Sequence, residues 1–197
     1  MNICYSVKKE LDFFKYQDFD FETLVDYKTP FSNQIDDIGC NRVSPHYALI
    51  INATASEYNK SFSNRCPPGE FTLCWNPMEH QENLTEKLKI IASDGSYSFE
   101  EINSTMKELS FIPANFNQFL AAVKKFPFFK ERIERLFSCQ PVLEHEKYFL
   151  IPFVANTSLY NPKFSELGLR FVDKDNFFDK DNSDKLRNIK YLFAKKE

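Results

Sequence analysis

Glycine is scarce in this sequence, and that scarcity narrows the folds and sites that the chain can form. The 197 residues include 4 glycines, which stand far apart at positions 39, 69, 95 and 168. Loops that bind nucleotide phosphates need several glycines close together, because their backbone must turn tightly and approach the phosphates. The common glycine-rich nucleotide loops are therefore excluded. No G-x-S-x-G, H-E-x-x-H or Walker A pattern is present either.

Aromatic residues dominate the apolar part of the sequence. Phe occurs 22 times, Tyr 9 times and Trp once. So many rings predict a core rich in aromatic pairs, which stabilise a fold beyond the area that they bury. A chain of 197 residues is long enough to bury a core without disulfides or metals. We therefore expect a single α+β domain over residues 1–197.

Four short apolar stretches predict the strands of a sheet. They are rich in β-branched or aromatic residues and are bounded by turn-forming residues, as strands usually are. The stretches cover residues 47–51, 70–75, 148–154 and 167–172. Pro152 lies within the third stretch, and because proline has no N–H for a ladder, it predicts an edge strand or a bulge there. We expect the third and fourth stretches to pair.

The middle of the chain, residues 82–137, has the pattern of a helical subregion. Its first helix is indicated by apolar residues at helical spacing, Leu84, Leu88 and Ile91. The second begins at a capping box formed by Ser98 and Glu101. Two more helices are predicted over residues 116–126 and 128–137. The expected fold class is thus α+β, with a small mixed or antiparallel sheet packed against a helical lobe.

The two ends of the chain show weaker patterns. A short amphipathic helix is predicted over residues 5–16 and a short basic helix over residues 183–193, and residues 17–45 are expected to be irregular. The charged start of the chain does not resemble a signal peptide, so we expect a cytoplasmic location, with export lacking a cleaved leader left open. No window of 18 consecutive apolar residues occurs, and no membrane span is expected.

The charge of the chain limits the kinds of partner that it can bind. The formal net charge is −3, with 15 acidic and 9 basic side chains in residues 1–100 and 13 and 16 in residues 101–197. A nucleic-acid-binding domain usually has a strong basic excess, which neither half shows. We therefore expect another protein as the partner and no nucleic acid.

Five potential soft metal ligands lie within 41 residues: Cys40, His46, Cys66, Cys74 and His80. Zinc binds four such donors in a tetrahedron, so the cluster predicts zinc as the ion that would bind there. However, the spacing contains no C-x2-C knuckle, and Cys74 lies in an apolar strand where a thiol behaves as a small hydrophobic group. Buried thiols and surface histidines are the alternative interpretation. The odd number of cysteines argues against a disulfide scaffold.

Two hypotheses about function follow from these observations. The first is a non-enzymatic protein-interaction module, indicated by the lack of catalytic motifs, the high aromatic content and the uneven charge. The alternative is a thiol- or zinc-dependent enzyme that uses Cys40 or Cys74 with His46 or His80. Neither hypothesis specifies an oligomeric state.

Overall fold

A computed structural model of the chain describes residues 19–43, 72–74, 82–93, 99–126, 135–138, 140–144, 146–156, 165–173 and 189–195. These residues form an α+β fold, which confirms the predicted class. The helices are α1 (Phe31–Ile38), α2 (Phe99–Glu108) and α3 (Phe116–Lys125). The strands are β1 (Phe19–Val25), β2 (Arg42–Val43), β3 (Thr72–Leu73), β4 (Leu84–Ser93), β5 (Phe111–Pro113), β6 (Arg135–Phe137), β7 (Leu143–Glu144), β8 (Tyr148–Asn156), β9 (Ser165–Asp173) and β10 (Ile189–Lys195).

The strands form one mixed sheet with β10 near its middle. β10 pairs antiparallel with β4 on one side and with β5 on the other, where it also pairs in parallel with β6. β4 then pairs with β1, and β6 pairs with β8. β8 also pairs with β7 and with β9. Beyond them, β3 pairs with β7 and β2 pairs with β9. The adjacent residues Leu192 and Phe193 are both fully buried. Because neighbouring side chains in a strand point to opposite faces, β10 is covered on both faces.

The main hydrophobic core lies between one face of the sheet and helices α1 and α3. The amphipathic side of α3 contributes Phe119 and Val123, and α1 contributes Ile35 and Ile38. The sheet contributes alternate residues of β4, β8, β9 and β10, as the twofold periodicity of strands requires.

Local sequence signals account for the ends of these two helices. α1 ends at Gly39, whose φ of 65° is left-handed and therefore favours glycine over residues that carry a Cβ. α3 begins at a capping box, in which the Asn115 side chain accepts from the Gln118 amide and the Gln118 side chain accepts from the Asn115 amide.

Several predicted elements are confirmed. The helices expected after Ser98 and over residues 116–126 are α2 and α3. β8 and β9 pair antiparallel as expected, with Tyr148 opposite Asp173 and Asn156 opposite Ser165. The second predicted strand region, residues 70–75, contains the two-residue strand β3. The strand predicted over residues 47–51 and the helix predicted over residues 5–16 lie outside the described residues.

Other predictions are wrong for the residues that the structure describes. Residues 84–93, within the expected helical subregion 82–137, form strand β4 because β1 and β10 pair with them on both sides. The last three residues of the helix expected over 128–137 form strand β6. Residues 189–193, expected to be helical, lie in β10. The supposedly irregular segment 17–45 contains β1, α1 and β2.

Pro152 lies in an inner strand and not at an edge. Ser138 and Val142 donate their backbone N–H groups to the carbonyls of Pro152 and Leu150, at 3.2 and 2.9 Å. The carbonyl and the nitrogen of a strand residue point to the same side, so the proline nitrogen points to the side on which Ser138 and Val142 lie. The chain leaves the regular ladder there, between β6 and β7. The missing N–H is therefore tolerated at an interruption of the neighbouring strand.

Gly168 is needed because an aromatic ring lies against its backbone. A Cβ at this position would be 2.4 Å from Cζ of Phe153, the residue opposite it on β8. We expect Gly168→Ala to reduce the free energy of unfolding by about 1–2 kcal/mol, because the ring must move from its packing against Phe137. Urea denaturation measures this loss. In a Phe153→Ala background the same glycine substitution should have little effect, and an equal loss in both backgrounds would contradict the explanation.

Candidate functional site

The structure describes two of the five predicted zinc ligands. Cys40 and Cys74 both carry thiols and are half-buried. Cys40 follows α1 and leads into β2, whereas the amide of Cys74 donates to the carbonyl of Val142 at 3.1 Å beside β7. His46, Cys66 and His80 lie outside the described residues. Within the described ranges, no group of three His, Cys, Asp or Glu side chains is arranged to hold a metal ion.

The strand order separates the two thiols, since β9, β8 and β7 lie between β2 and β3. Neighbouring strands are about 4.8 Å apart. Two sulfurs on one zinc ion are each about 2.3 Å from the metal, and therefore within about 4.6 Å of each other.

We expect a zinc ion, if the cluster binds one, to use at most one of Cys40 and Cys74. Native mass spectrometry of Cys40→Ala and Cys74→Ala should show unchanged zinc content in at least one variant, and loss from both would contradict this expectation.

The longest open edge among the described strands is that of β1. β1 pairs along its whole length with β4, from Phe19 opposite Ile90 to Val25 opposite Leu84, and with no other described strand. Three other described strands pair with a single strand each, and all are shorter than β1: β2 and β3 have two residues and β5 has three. β1 is therefore the described edge that offers the longest row of backbone hydrogen-bonding groups.

One face of β1 is held against the core by aromatic rings. The ring of Phe126, at the end of α3, lies edge-on to Phe19 and Phe21, with centroid distances of 5.5 and 4.8 Å. Edge-to-face contacts at these distances are favourable because the positive edge of one ring meets the negative face of another. The strand is thus fixed on the side that faces α3.

The opposite face of β1 is exposed and carries two acidic side chains and a leucine. Asp20 and Glu22 form ion pairs with Lys89 and Lys87 of β4, at 3.1 and 3.5 Å. Their side chains nevertheless remain 69% and 59% exposed. Leu24, on the same face, is 59% exposed. The outer edge of β1 therefore combines backbone groups with an acidic and partly apolar row of side chains.

A polar network anchors the end of β1 to α3. Glu86 of β4 accepts two hydrogen bonds of 2.5 Å, one from the Tyr27 hydroxyl and one from Nε2 of Gln118. Asn115, the N-cap of α3, donates to the Tyr27 hydroxyl at 3.4 Å. Nδ2 of Asn117 donates to the Asp26 carbonyl at 2.7 Å. Because hydrogen bonds to a charged group in a partly buried site are strong, the network makes this end of the edge rigid.

The turn after β1 is joined to α1 by hydrogen bonds from a side chain to backbone carbonyls. Nε2 of Gln34 donates to the carbonyls of Asp26 and Thr29, at 3.1 and 2.7 Å. The Asp26 carboxylate accepts from the amides of Lys28 and Thr29. Burial acts to raise the pKa of this carboxyl group, but the hydrogen bonds from Thr29 and Lys28 outweigh it and lower the pKa.

Burial raises the pKa of Tyr27 well above the usual tyrosine value, and the neighbouring Glu86 raises it further, while the hydrogen bond from Asn115 opposes the shift. The fold therefore favours the neutral phenol, so its contribution to stability is complete below pH about 10 and decreases as the pH rises above that value. We expect the free energy of unfolding to fall less steeply above pH 10 in Tyr27→Phe than in the wild type. Urea denaturation between pH 7 and 11 measures the two slopes, and parallel curves would contradict this assignment.

This network is better suited to holding the fold than to catalysis. Both oxygens of the Glu86 carboxylate already accept hydrogen bonds, and the raised pKa of Tyr27 keeps its hydroxyl protonated. The Tyr27 hydroxyl is therefore not a base at neutral pH, and the Glu86 carboxylate is engaged by two donors of the fold itself. Sequence reasoning did not select these residues, although the N-x-x-Q pattern of Asn115 and Gln118 ahead of an apolar run is a readable capping signal.

None of the helices in the described part of the chain is long and apolar enough to cross a bilayer. No family model, curated protein or solved structure matches the chain.

Proposed function

We propose that this protein is a non-enzymatic interaction module that binds an extended segment of another protein along the outer edge of β1. The observation that carries the proposal is the geometry of this edge: seven residues of regular strand, paired on one side by β4 and exposed at Asp20, Glu22 and Leu24. An open strand edge pairs readily with a further strand, which gains affinity from backbone hydrogen bonds and specificity from alternate side chains.

The rigidity of the edge supports this proposal. Phe126 packs against one face of β1, and the hydrogen bonds of Glu86 join β4 and the end of β1 to α3. Binding of an extended segment costs conformational entropy in the partner. A preformed edge adds little further cost, so more of the interaction energy remains as affinity.

A site-specific photo-cross-linking amino acid tests the proposal. Placed at Leu24, it lies beside the outer edge of β1, whereas the matched control position, Leu109, is equally exposed at 57% but follows α2. We expect cross-links to a second protein in cells from position 24 and not from position 109. A synthetic peptide of the cross-linked segment should then shift the backbone amide NMR signals of residues 19–25.

Two outcomes would contradict the proposal. The first is an identical set of cross-links from both positions, which would indicate unselective contact. The second is turnover of a substrate by the purified protein that a single change at Cys40 or Cys74 abolishes, because such activity would favour the thiol- or zinc-dependent enzyme.

A further inference from the structure

We infer that the segment bound at β1 carries basic side chains at alternate positions, an inference that rests on the proposed function. Asp20, Glu22 and Leu24 share one face of β1, because residues two apart in a strand point the same way. A strand added at the outer edge places one residue directly opposite each of them. Opposite charges at such positions attract, and like charges repel.

The two carboxylates are able to accept a second cation each. Lys89 and Lys87 approach them from β4, on the inner side, and both acidic side chains remain largely exposed. A carboxylate has two oxygens with about four acceptor positions, so one ion pair does not saturate it. A basic strand on the outer side would complete a row in which each carboxylate lies between two cations.

The register converts this charge pattern into a sequence pattern. In an antiparallel partner, the residue opposite Leu24 comes first, followed two and four residues later by those opposite Glu22 and Asp20. The pattern is therefore apolar-x-basic-x-basic. The intervening residues lie on the face of Phe21 and Thr23, which faces α3, and apolar or β-branched residues suit them.

The same charges disfavour a second copy of this chain as the occupant. An antiparallel pair of β1 strands centred on Glu22 would place this carboxylate opposite its own copy. A shift by two residues in one direction would place Asp20 opposite Glu22 twice. Like charges directly opposite each other destabilise a strand pair, and charged edges are a known device against self-association.

Two capped peptides test the inference, VLTKVKV and VLTEVEV, which differ only in the charge opposite Asp20 and Glu22. We expect VLTKVKV to bind the wild-type protein at least tenfold more tightly than VLTEVEV, and to shift the backbone amide NMR signals of β1. The variant Asp20→Asn/Glu22→Gln keeps the size of both side chains and removes their charge. It should bind the two peptides within about threefold of each other.

The possible results separate the inference from the proposed function. If both peptides shift the β1 signals with equal affinity for the wild type, the edge binds strands and the charge selectivity is wrong. If the preference for VLTKVKV persists in the neutral variant, the basic residues are recognised elsewhere and the inference is again wrong. If neither peptide shifts the β1 signals, both the inference and the proposed binding at this edge fail. Circular dichroism of the variant confirms that it is folded.

Discussion

Replacement of Phe193 by alanine is expected to lower the free energy of unfolding by about 3–5 kcal/mol. Phe193 is fully buried in β10, which pairs with β4 on one side and with β5 and β6 on the other. Removing its ring leaves a cavity in the middle of the sheet that the surrounding strands cannot fill without losing their pairing. Because domains are usually stable by about 5–15 kcal/mol, this loss is a large part of the total.

Urea denaturation followed by circular dichroism measures the effect, with Ile112→Ala as the matched control. Ile112 lies on β5, opposite Ala194 of β10, and is 44% exposed. We expect the control to lose less than about 1 kcal/mol, since exposed side chains contribute little to stability. A loss below about 1 kcal/mol for Phe193→Ala would show that residues 189–195 do not form the inner strand described here.

The second large effect is expected from Glu86→Leu, which should lower the free energy of unfolding by about 2–4 kcal/mol. The leucine resembles glutamate in size but cannot accept the hydrogen bonds from the Tyr27 hydroxyl and from Nε2 of Gln118. Gln118 is 6% exposed, so its amide has little access to water as a replacement acceptor. Each buried donor left without an acceptor costs about 1–3 kcal/mol.

The control for this variant is Glu82→Leu, which makes the same chemical change at an exposed position just before β4. Urea denaturation should show a change within about 0.5 kcal/mol for the control. Equal losses for the two variants would contradict the role of Glu86. If the network also keeps the edge rigid, folded Glu86→Leu should bind the peptide VLTKVKV more weakly than the wild type does.

Local signals in the sequence correctly predicted those elements that depend on neighbouring residues. The capping box predicted at Ser98 and Glu101 correctly placed α2, and the helix predicted over residues 116–126, between Pro113 and Pro127, correctly placed α3. The apolar stretches of β8 and β9 correctly predicted an antiparallel pair. In each case the signal depends on residues that are close together in the chain, so it can be recognised from the sequence without knowing which distant segments come into contact.

The prediction for residues 84–93 failed because this segment fits two periodicities. Leu84, Leu88 and Ile91 have helical spacing, whereas Leu88 and Ile90 alternate with Lys87 and Lys89 as in a strand. The structure has the alternating arrangement, with Leu88 and Ile90 fully buried between β1 and β10. The partner strands β1 and β10 are distant from β4 in the sequence, and no local pattern predicts that they pair with it.

The candidate site shows the same limit more strongly. The sequence shows that several Cys and His residues lie close together along the chain. The strand order that separates Cys40 from Cys74, however, is a property of the whole sheet. The hydrogen bond between Tyr27 and Glu86 joins residues 59 positions apart. Neither residue is unusual in its local context, so the sequence contained no sign that the two would meet.

The sequence by itself determined the α+β class, the positions of α2 and α3, the pairing of β8 with β9 and the lack of glycine-rich nucleotide loops. These features depend on residue type and short spacing, which act before the chain is folded. The tertiary structure alone decided that β4 and β10 are strands, that β1 is a terminal strand of the sheet formed by the described residues, and that its exposed face carries Asp20 and Glu22. The physical reason is that burial and hydrogen bonding between distant segments outweigh local preferences of a few tenths of a kcal/mol per residue.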